Sequence, residues 1–506
     1  MAITTLLHSI LTLAAGLGLT SLATTAGAAA PQDPAAPQSA PAVERALEDI
    51  AANEIKADIF FIASDAMGGR DTVSAEQRIA ARFIRGRLQY LGFKPGNGDK
   101  FLYEYPLAKN ALDRDALTAN ISGGDSLKYG TDYCFPDSFG VSDLTTDAGV
   151  VYCANGDRGD FESEALAGNW ALVDWSDQNI YRLRSRARKG KAVGILIGPG
   201  SDFEGTGMIE RFAGNDEAAF VGRISYPSSA GRSTRGREPF PVLAISKSTR
   251  ASLVSDSELS KGAAIAGTFA EKRSIVGGGT ILAENVCGFW PGSDPELSKE
   301  VLIVSAHYDH VGTRDGVVYN GADDNGSGTT GLLSIASALK EYGPMRRSVL
   351  LIWVSGEEKG LWGSKAWASN PSLPEGYSAI AAINIDMIGR NAPNVMYVTP
   401  SPNHKDYNGL TRLAEKFGAE EGFGDFPEGR EQGFEGLGSA DPYYMRSDHA
   451  EFAKMDIPVC FLFAGEHEDY HQPGDTPDKI DYDKIRRTAR TVVKMLDALQ
   501  EDKLDM

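Results

Sequence analysis

The sequence predicts an α/β protein: a three-layer αβα body around a mostly parallel mixed sheet, interrupted by an inserted β-rich domain. Three observations predict it. From residue 271 onward, short apolar runs alternate with segments of helical period. Several of those runs are apolar at nearly every position, as strands covered on both faces are. Between about 110 and 270 the texture changes to short alternating strands set among many glycines.

Taken in order, residues 1–28 read as a signal peptide. The apolar run Ile10 to Leu22 ends in small residues, and Ala26-Gly27-Ala28 fits the cleavage pattern, although no Lys or Arg precedes the run. The run is shorter than the roughly 20 residues a membrane span needs. Export to the periplasm or the medium is therefore expected, with no stable membrane insertion after cleavage. Residues 29–43, rich in Pro, Ala and Gln, read as a flexible tether. Residues 44–109 open the main domain and read as helices, with Ala80 to Leu91 stopped by Gly92 and Pro95. Residues 110–270 form the insert, with strands at Gly149–Tyr152, Trp170–Asp174, Gly194–Ile197 and Pro241–Ile245. Residues 271–506 carry strands at Val301–Ala306, Val349–Ser355, Ala379–Ile385 and Ile457–Phe463. Helices are expected at Ser327–Tyr342, Lys405–Phe417 and Asp481–Gln500.

Composition excludes some partners. Acidic residues number 69 against 50 basic, a formal charge of −19. A nucleic-acid ligand is disfavoured, because binding it means displacing counterions from phosphates with basic side chains. Four cysteines allow a Cys134–Cys153 bridge in an oxidising compartment, or buried free thiols; the sequence does not choose.

Ligands of parallel sheets sit beyond the carboxyl ends of the strands, and here those ends are chemically loaded. The first strand ends in His307-Tyr308-Asp309-His310, the second in Gly356-Glu357-Glu358, and the third in Asp386. The fourth leads to His467 and His471, and a loop Gly321 to Gly328 carries Asp323 and Asp324. Six of seven histidines lie between 307 and 471, and Zn²⁺ takes imidazole together with carboxylate. In His307-x-Asp309 the two side chains point the same way along an extended segment, so the carboxylate can hold the second ring nitrogen. Asp324, Glu358 and Asp386 bring three negative charges. Two divalent ions bring four positive charges, which leaves one for a bridging hydroxide.

At these residues the chain resembles the zinc aminopeptidase family that also contains glutamate carboxypeptidase and the glutaminyl cyclases. Matching stretches are Ser305 to His310, Gly321 to Gly328, Gly356-Glu357-Glu358 with Gly360 to Ser364, Asn384 to Gly389, and Tyr470-His471 with Asp475. Ser64 to Arg70 resembles the leader segment of bacterial members, and 110–270 their protease-associated insert.

The resemblance implies the zinc exopeptidase fold and two Zn²⁺ per chain. His307 and Asp386 would hold one ion, Glu358 and His471 the other, and Asp324 would bridge them. It further implies Glu357 as general base with Asp309 behind His307 and a cis Asp324–Asn325 peptide, while Asp475 either orients His471 or caps the segment that follows. His310, His404 and His467 are expected on loops without metal. Ser447-Asp448-His449 either edges the substrate pocket or reflects a helix N-cap at Ser447.

The function implied is aminopeptidase action on peptides with a free N-terminus. Carboxypeptidase or dipeptidase, glutaminyl cyclase and a non-catalytic receptor are the alternatives. A carboxypeptidase needs an arginine-rich pocket, and no arginines cluster near these motifs. Oligomeric state is not legible.

Overall fold

The computed structural model describes residues 41–504, apart from 137–142, 176–178, 201–206, 213–219, 221–222, 228–239, 255–258, 277–278, 315 and 425–440. The expected signal peptide and most of the tether lie outside the described residues. A helix, Ala42–Asp49, begins within the tether's expected end.

Four strands run parallel through the middle of the main sheet, in the order Ser348–Val354, Glu300–His307, Ser378–Asp386 and Val459–Phe463. His307 lies opposite Val354, Ser305 opposite Asn384 and Asp386 opposite Phe463, which brings the carboxyl ends of the strands together along one edge. Both faces are covered, as the continuous apolar runs require. Leu302, Val304 and Ala306 share a core with Leu332, Ile335 and Leu339 of helix Gly328–Tyr342 and with Ile485, Val492 and Leu496 of helix Tyr482–Ala498. The alternate residues Val301 and Ile303 pack instead with Trp367 of helix Trp362–Ser369 and Phe452 of helix His449–Ala453. Each large apolar side chain so buried contributes about 1.5–3 kcal/mol. Trp353, fully buried, also donates its indole N–H to Thr329 O at 3.0 Å, tying the second strand to the helix that follows the loop Gly321 to Gly328.

The expectation of helices throughout 44–109 is corrected at its end. Leu102–Leu112 is a strand of the main sheet, paired antiparallel with Thr280–Trp290, which in turn pairs antiparallel with Ser348–Val354. Its alternation buries Tyr103, Tyr105 and Leu107 on one face. A short strand inside the insert range, Arg223–Ser225, also joins it. The expected helix Lys405–Phe417 starts later, at Gly409, because the Asn408 side chain accepts from the amides of Leu410 and Thr411.

The stretch read as β-rich builds a second sheet of seven strands. Trp170–Asp174 and Gly194–Gly198 lie at its centre, and it extends to Arg273. Period two is again visible: Ala171, Val173, Ile195 and Ile197 enter one core, Trp170, Leu172 and Leu196 the other. All four cysteines are free and buried, so the Cys134–Cys153 bridge is not formed. Burial pushes both of those thiols up to about 12.

Arg70 ties the N-terminal helices to the sheet edge. It is fully buried, and its guanidinium donates to four carbonyls: Tyr308 at 2.9 Å, Ile62 and Asn320 at 2.8 Å, and Gly321 at 2.9 Å. Burial pulls its pKa down to about 10 against the opposing pull of Asp309, Asp475, Asp324 and Glu358. Arg70→Met, which leaves those carbonyls without a donor, is expected to cost about 3–5 kcal/mol in chemical denaturation. A loss below about 1 kcal/mol would contradict this role.

Candidate metal centre

The site is assembled where the parallel strands stop. His307 is the last residue of the first strand and Asp386 the last of its neighbour on one side. Glu357 and Glu358 follow the neighbour on the other side. Asp324 sits in the loop Ala322–Ser327 that precedes helix Gly328–Tyr342, and the Asp324–Asn325 peptide is cis, as the resemblance implies. His471 arrives on the loop after the fourth strand.

The five expected ligands converge. His307 Nε2 lies 3.1 Å from Asp386 Oδ1 and 3.4 Å from Asp324 Oδ1. His471 Nε2 lies 3.1 Å from Asp324 Oδ2 and 2.9 Å from Glu358 Oε2. The two oxygens of Asp324 therefore face two different sets of donors. His307, Asp324 and Asp386 are buried, and His471 is one-third exposed.

Electrostatically the cluster calls for cations. Burial alone would lower the His307 pKa, but Asp386, Asp309 and Asp324 outweigh it and hold the ring well above its usual value. His471 is likewise pushed up to about 10, with burial opposed by Asp324 and Glu358. Imidazolium protons are thus the counter-charge these carboxylates attract, and divalent ions are the natural replacement. Glu358 Oε1 and His471 Nε2 are buried with no hydrogen-bond partner, as donors aimed at an ion would be. The residues present fit a pair of zinc-type cations.

Surrounding groups hold these side chains in place. Asp309 Oδ2 accepts from Thr72 Oγ1 at 2.8 Å and Oδ1 from the Glu357 amide at 3.3 Å. His307 Nδ1 lies 3.2 Å from the Asp309 carbonyl oxygen and 3.7 Å from the Asp309 carboxylate. Asp475 does not act through His471. It accepts from the backbone amides of Asp323 and Asp324 at 3.0 Å, fixing the loop that carries the shared carboxylate. Ser447 caps no helix; its hydroxyl donates to Asp386 Oδ2 at 2.8 Å and accepts from Asn384 Nδ2 at 3.0 Å. Glu357 faces the cleft, where burial, with Asp448, Glu358 and Asp386, raises its pKa well above the usual value against the pull of His307.

His404 lies on a loop away from the cluster, where its Nδ1 accepts from the Asp406 amide at 3.2 Å. His467 packs behind the Asp324 loop, with Nε2 3.3 Å from Asp323 Oδ2. His310 departs from expectation. Fully buried, it places Nδ1 2.8 Å from Glu358 Oε1, within the cluster. Its place immediately after Asp309 is the one signal the sequence carries.

Residues 285–496 match the model of peptidase family M28, a span that contains every residue of the cluster. Over that span the chain is similar to peptidase family M28. Among curated relatives, leupeptin-inactivating enzyme 1 of Streptomyces exfoliatus is 31% identical over 182 residues, 36% of each chain. A probable leucine aminopeptidase of Arthroderma otae is 27% identical over 209 residues, covering 39% of this chain and 54% of the relative. The match thus spans about a third to a half of the length of these relatives. Two solved structures share the fold over nearly the whole chain. The aminopeptidase from Aneurinibacillus sp. strain AM-1 is 20% identical, covers 90% of this chain and 95% of its own, and has a TM-score of 0.50. BSAP, a zinc aminopeptidase from Bacillus subtilis, is 18% identical, covers 89% and 95%, and has a TM-score of 0.52.

Beside the site, His449 is fully buried and stacks on Phe461 with ring centroids 4.3 Å apart. Burial lowers its pKa from 6.5 to about 3. Below pH 6.5 the unfolded chain takes up a proton that the folded chain refuses. The stability contribution is therefore full above 6.5 and is lost as pH falls toward 3, at up to about 1.4 kcal/mol per pH unit. His449→Phe is expected to lose about 2 kcal/mol less than the native chain between pH 7 and pH 5. Identical pH slopes in denaturant titrations of the two proteins would contradict this.

Proposed function

We propose that this chain is an exported, co-catalytic di-zinc aminopeptidase that removes residues from peptides with a free N-terminus. The observation that carries the reading is the disposition of Asp324, whose two oxygens face separate donor sets, His307 with Asp386 and His471 with Glu358. Bound in those sets, two zinc ions would supply an acidified water and a Lewis acid for the scissile carbonyl. Glu357, which lines the cleft beside Asp324 and Asp386, takes the proton of the attacking water and returns one to the leaving amine. Asp309 holds the Glu357 amide and backs His307.

The cleft supports an N-terminal substrate. Tyr443, Phe461, Phe463 and Met387 give it apolar walls, and Glu357, Asp386 and Glu466 line it with carboxyl groups, Glu466 beside Arg446. Arg446 also lines the cleft and stands 3.8 Å from Glu466, while Arg390 pairs with Asp469 at 3.0 Å. One arginine among the described lining residues falls short of the arginine-rich pocket a carboxypeptidase needs. Curated relatives named as leucine aminopeptidases support the same choice. Export rests on the leader pattern in 1–28, and residues 110–270 are proposed as a protease-associated module that borders the peptidase domain.

Free and N-acetylated dipeptides separate the readings. Acetylation is expected to lower kcat/KM by at least about a hundredfold, since the carboxylates that meet the ammonium lose their partner. Equal cleavage of both, with C-terminal amidation blocking it, would identify a carboxypeptidase instead.

A further inference from the structure

His310 is not among the five ligands of the reading above, yet it stands inside the cluster. It is 0% exposed, and neither of its ring nitrogens has a hydrogen-bond partner. Nδ1 comes within 2.8 Å of Glu358 Oε1 and 3.7 Å of Asp324 Oδ2. Despite that proximity, neither Nδ1 nor Glu358 Oε1 is oriented to hydrogen-bond the other. A nitrogen and an oxygen so close, but not directed along a shared N–H···O line, point to a third object between them. Donors around a tetrahedral zinc with bonds of about 2.0–2.1 Å stand about 3.3 Å from one another. The His310 separations bracket that value, as do those of His307 at 3.1 and 3.4 Å.

The backbone is shaped to admit this ring. A Cβ at Gly321 would fall 2.5 Å from His310 Cγ and Cδ2, so only glycine at this position leaves the ring its place. The His310 amide donates to Arg70 O at 3.2 Å, which anchors the residue from the other side. His310, Asp324 and Glu358 offer donor atoms mutually within 4.8 Å, and His471 Nε2 adds a fourth against the same two carboxylates.

We propose that His310 Nδ1 is an additional ligand of the second cation, which is then held by two imidazoles and two carboxylates. The proposal rests on the two-cation reading and adds an asymmetry to it. One more protein donor makes the second site the more retentive of the two, and a zinc that expands to five ligands still has room for a shared hydroxide. The first, built from His307, Asp386 and Asp324, keeps an open position. It is also the site that shares the cleft with Glu357.

The test uses full-length chain stripped of metal and titrated with Zn²⁺ against a competing chelator. Zinc K-edge absorption is recorded at one and at two equivalents. The native chain is expected to bind two ions in steps separated at least tenfold in affinity, with two imidazoles on the ion bound first and three imidazoles shared between both ions. His310→Ala should weaken the tight step by at least about ten- to a hundredfold and leave the other in place. His404→Ala, outside the cluster, should change neither. One imidazole on the first ion, or an unaltered tight step in His310→Ala, overturns the proposal while leaving the two-cation reading intact. Fewer than two ions bound by the native chain overturns that reading itself, and the proposal with it. The imidazole count comes from the native chain, so the result stands even if the variant fails to fold.

Discussion

Glu357→Gln is expected to bind the same two zinc ions as the native chain and to turn peptides over about 10²–10⁴ times more slowly. The amide matches the carboxylate in shape but accepts no proton. The metal-facing donors are Asp324, Glu358, Asp386 and the histidines, none of which the substitution touches. Because the loss lies in proton transfer, kcat should fall with little change in KM. Metal content and turnover measured on one preparation decide the matter. Turnover within tenfold of the native rate would remove Glu357 as the base. Loss of zinc would make it a ligand.

Asp324→Ala is expected to abolish activity for a different reason. Its carboxylate is the one group whose oxygens face both donor sets, so its removal should weaken both ions together. The remaining carboxylates would also be left crowded without counter-charge. Zinc per chain should fall below one, while far-ultraviolet circular dichroism stays native, because the strands that carry the ligands are held by the cores beneath them. Retention of two ions by Asp324→Ala would show that the carboxylate is not shared.

Much of this could be read from residue order because the physics is local. Val301 to Ala306 is apolar at nearly every position, which only a doubly covered strand requires, and its end marks where ligands gather. What escaped depends on partners remote in sequence. Thr280–Trp290 is a main-sheet strand whose run is broken by Glu284 and Asn285, both buried. Glu284 is tolerated because Arg82 pairs with it, and Asn285 because it donates to Gly363 O at 2.9 Å and accepts from the Ser355 amide at 3.1 Å. The Tyr103-Glu104-Tyr105 alternation of Leu102–Leu112 is a period-two signal, but it directly follows a helical stretch and was obscured by it.

The same division holds within the centre. His307, Asp386 and the glutamates sit at strand ends, where periodicity places them. His310 enters only because Gly321 leaves room for its ring. Asp475 and Ser447 act on the Asp324 loop and on Asp386 from 60 to 150 residues away in sequence. No local pattern encodes such contacts.

The central claim is that two cations share the Asp324 carboxylate, and anomalous diffraction at the zinc edge from crystals of the native chain tests it most directly. Two peaks of comparable height are predicted, about 3.5–4 Å apart, one on each side of Asp324. A single peak, or a pair that does not flank Asp324, would contradict the account.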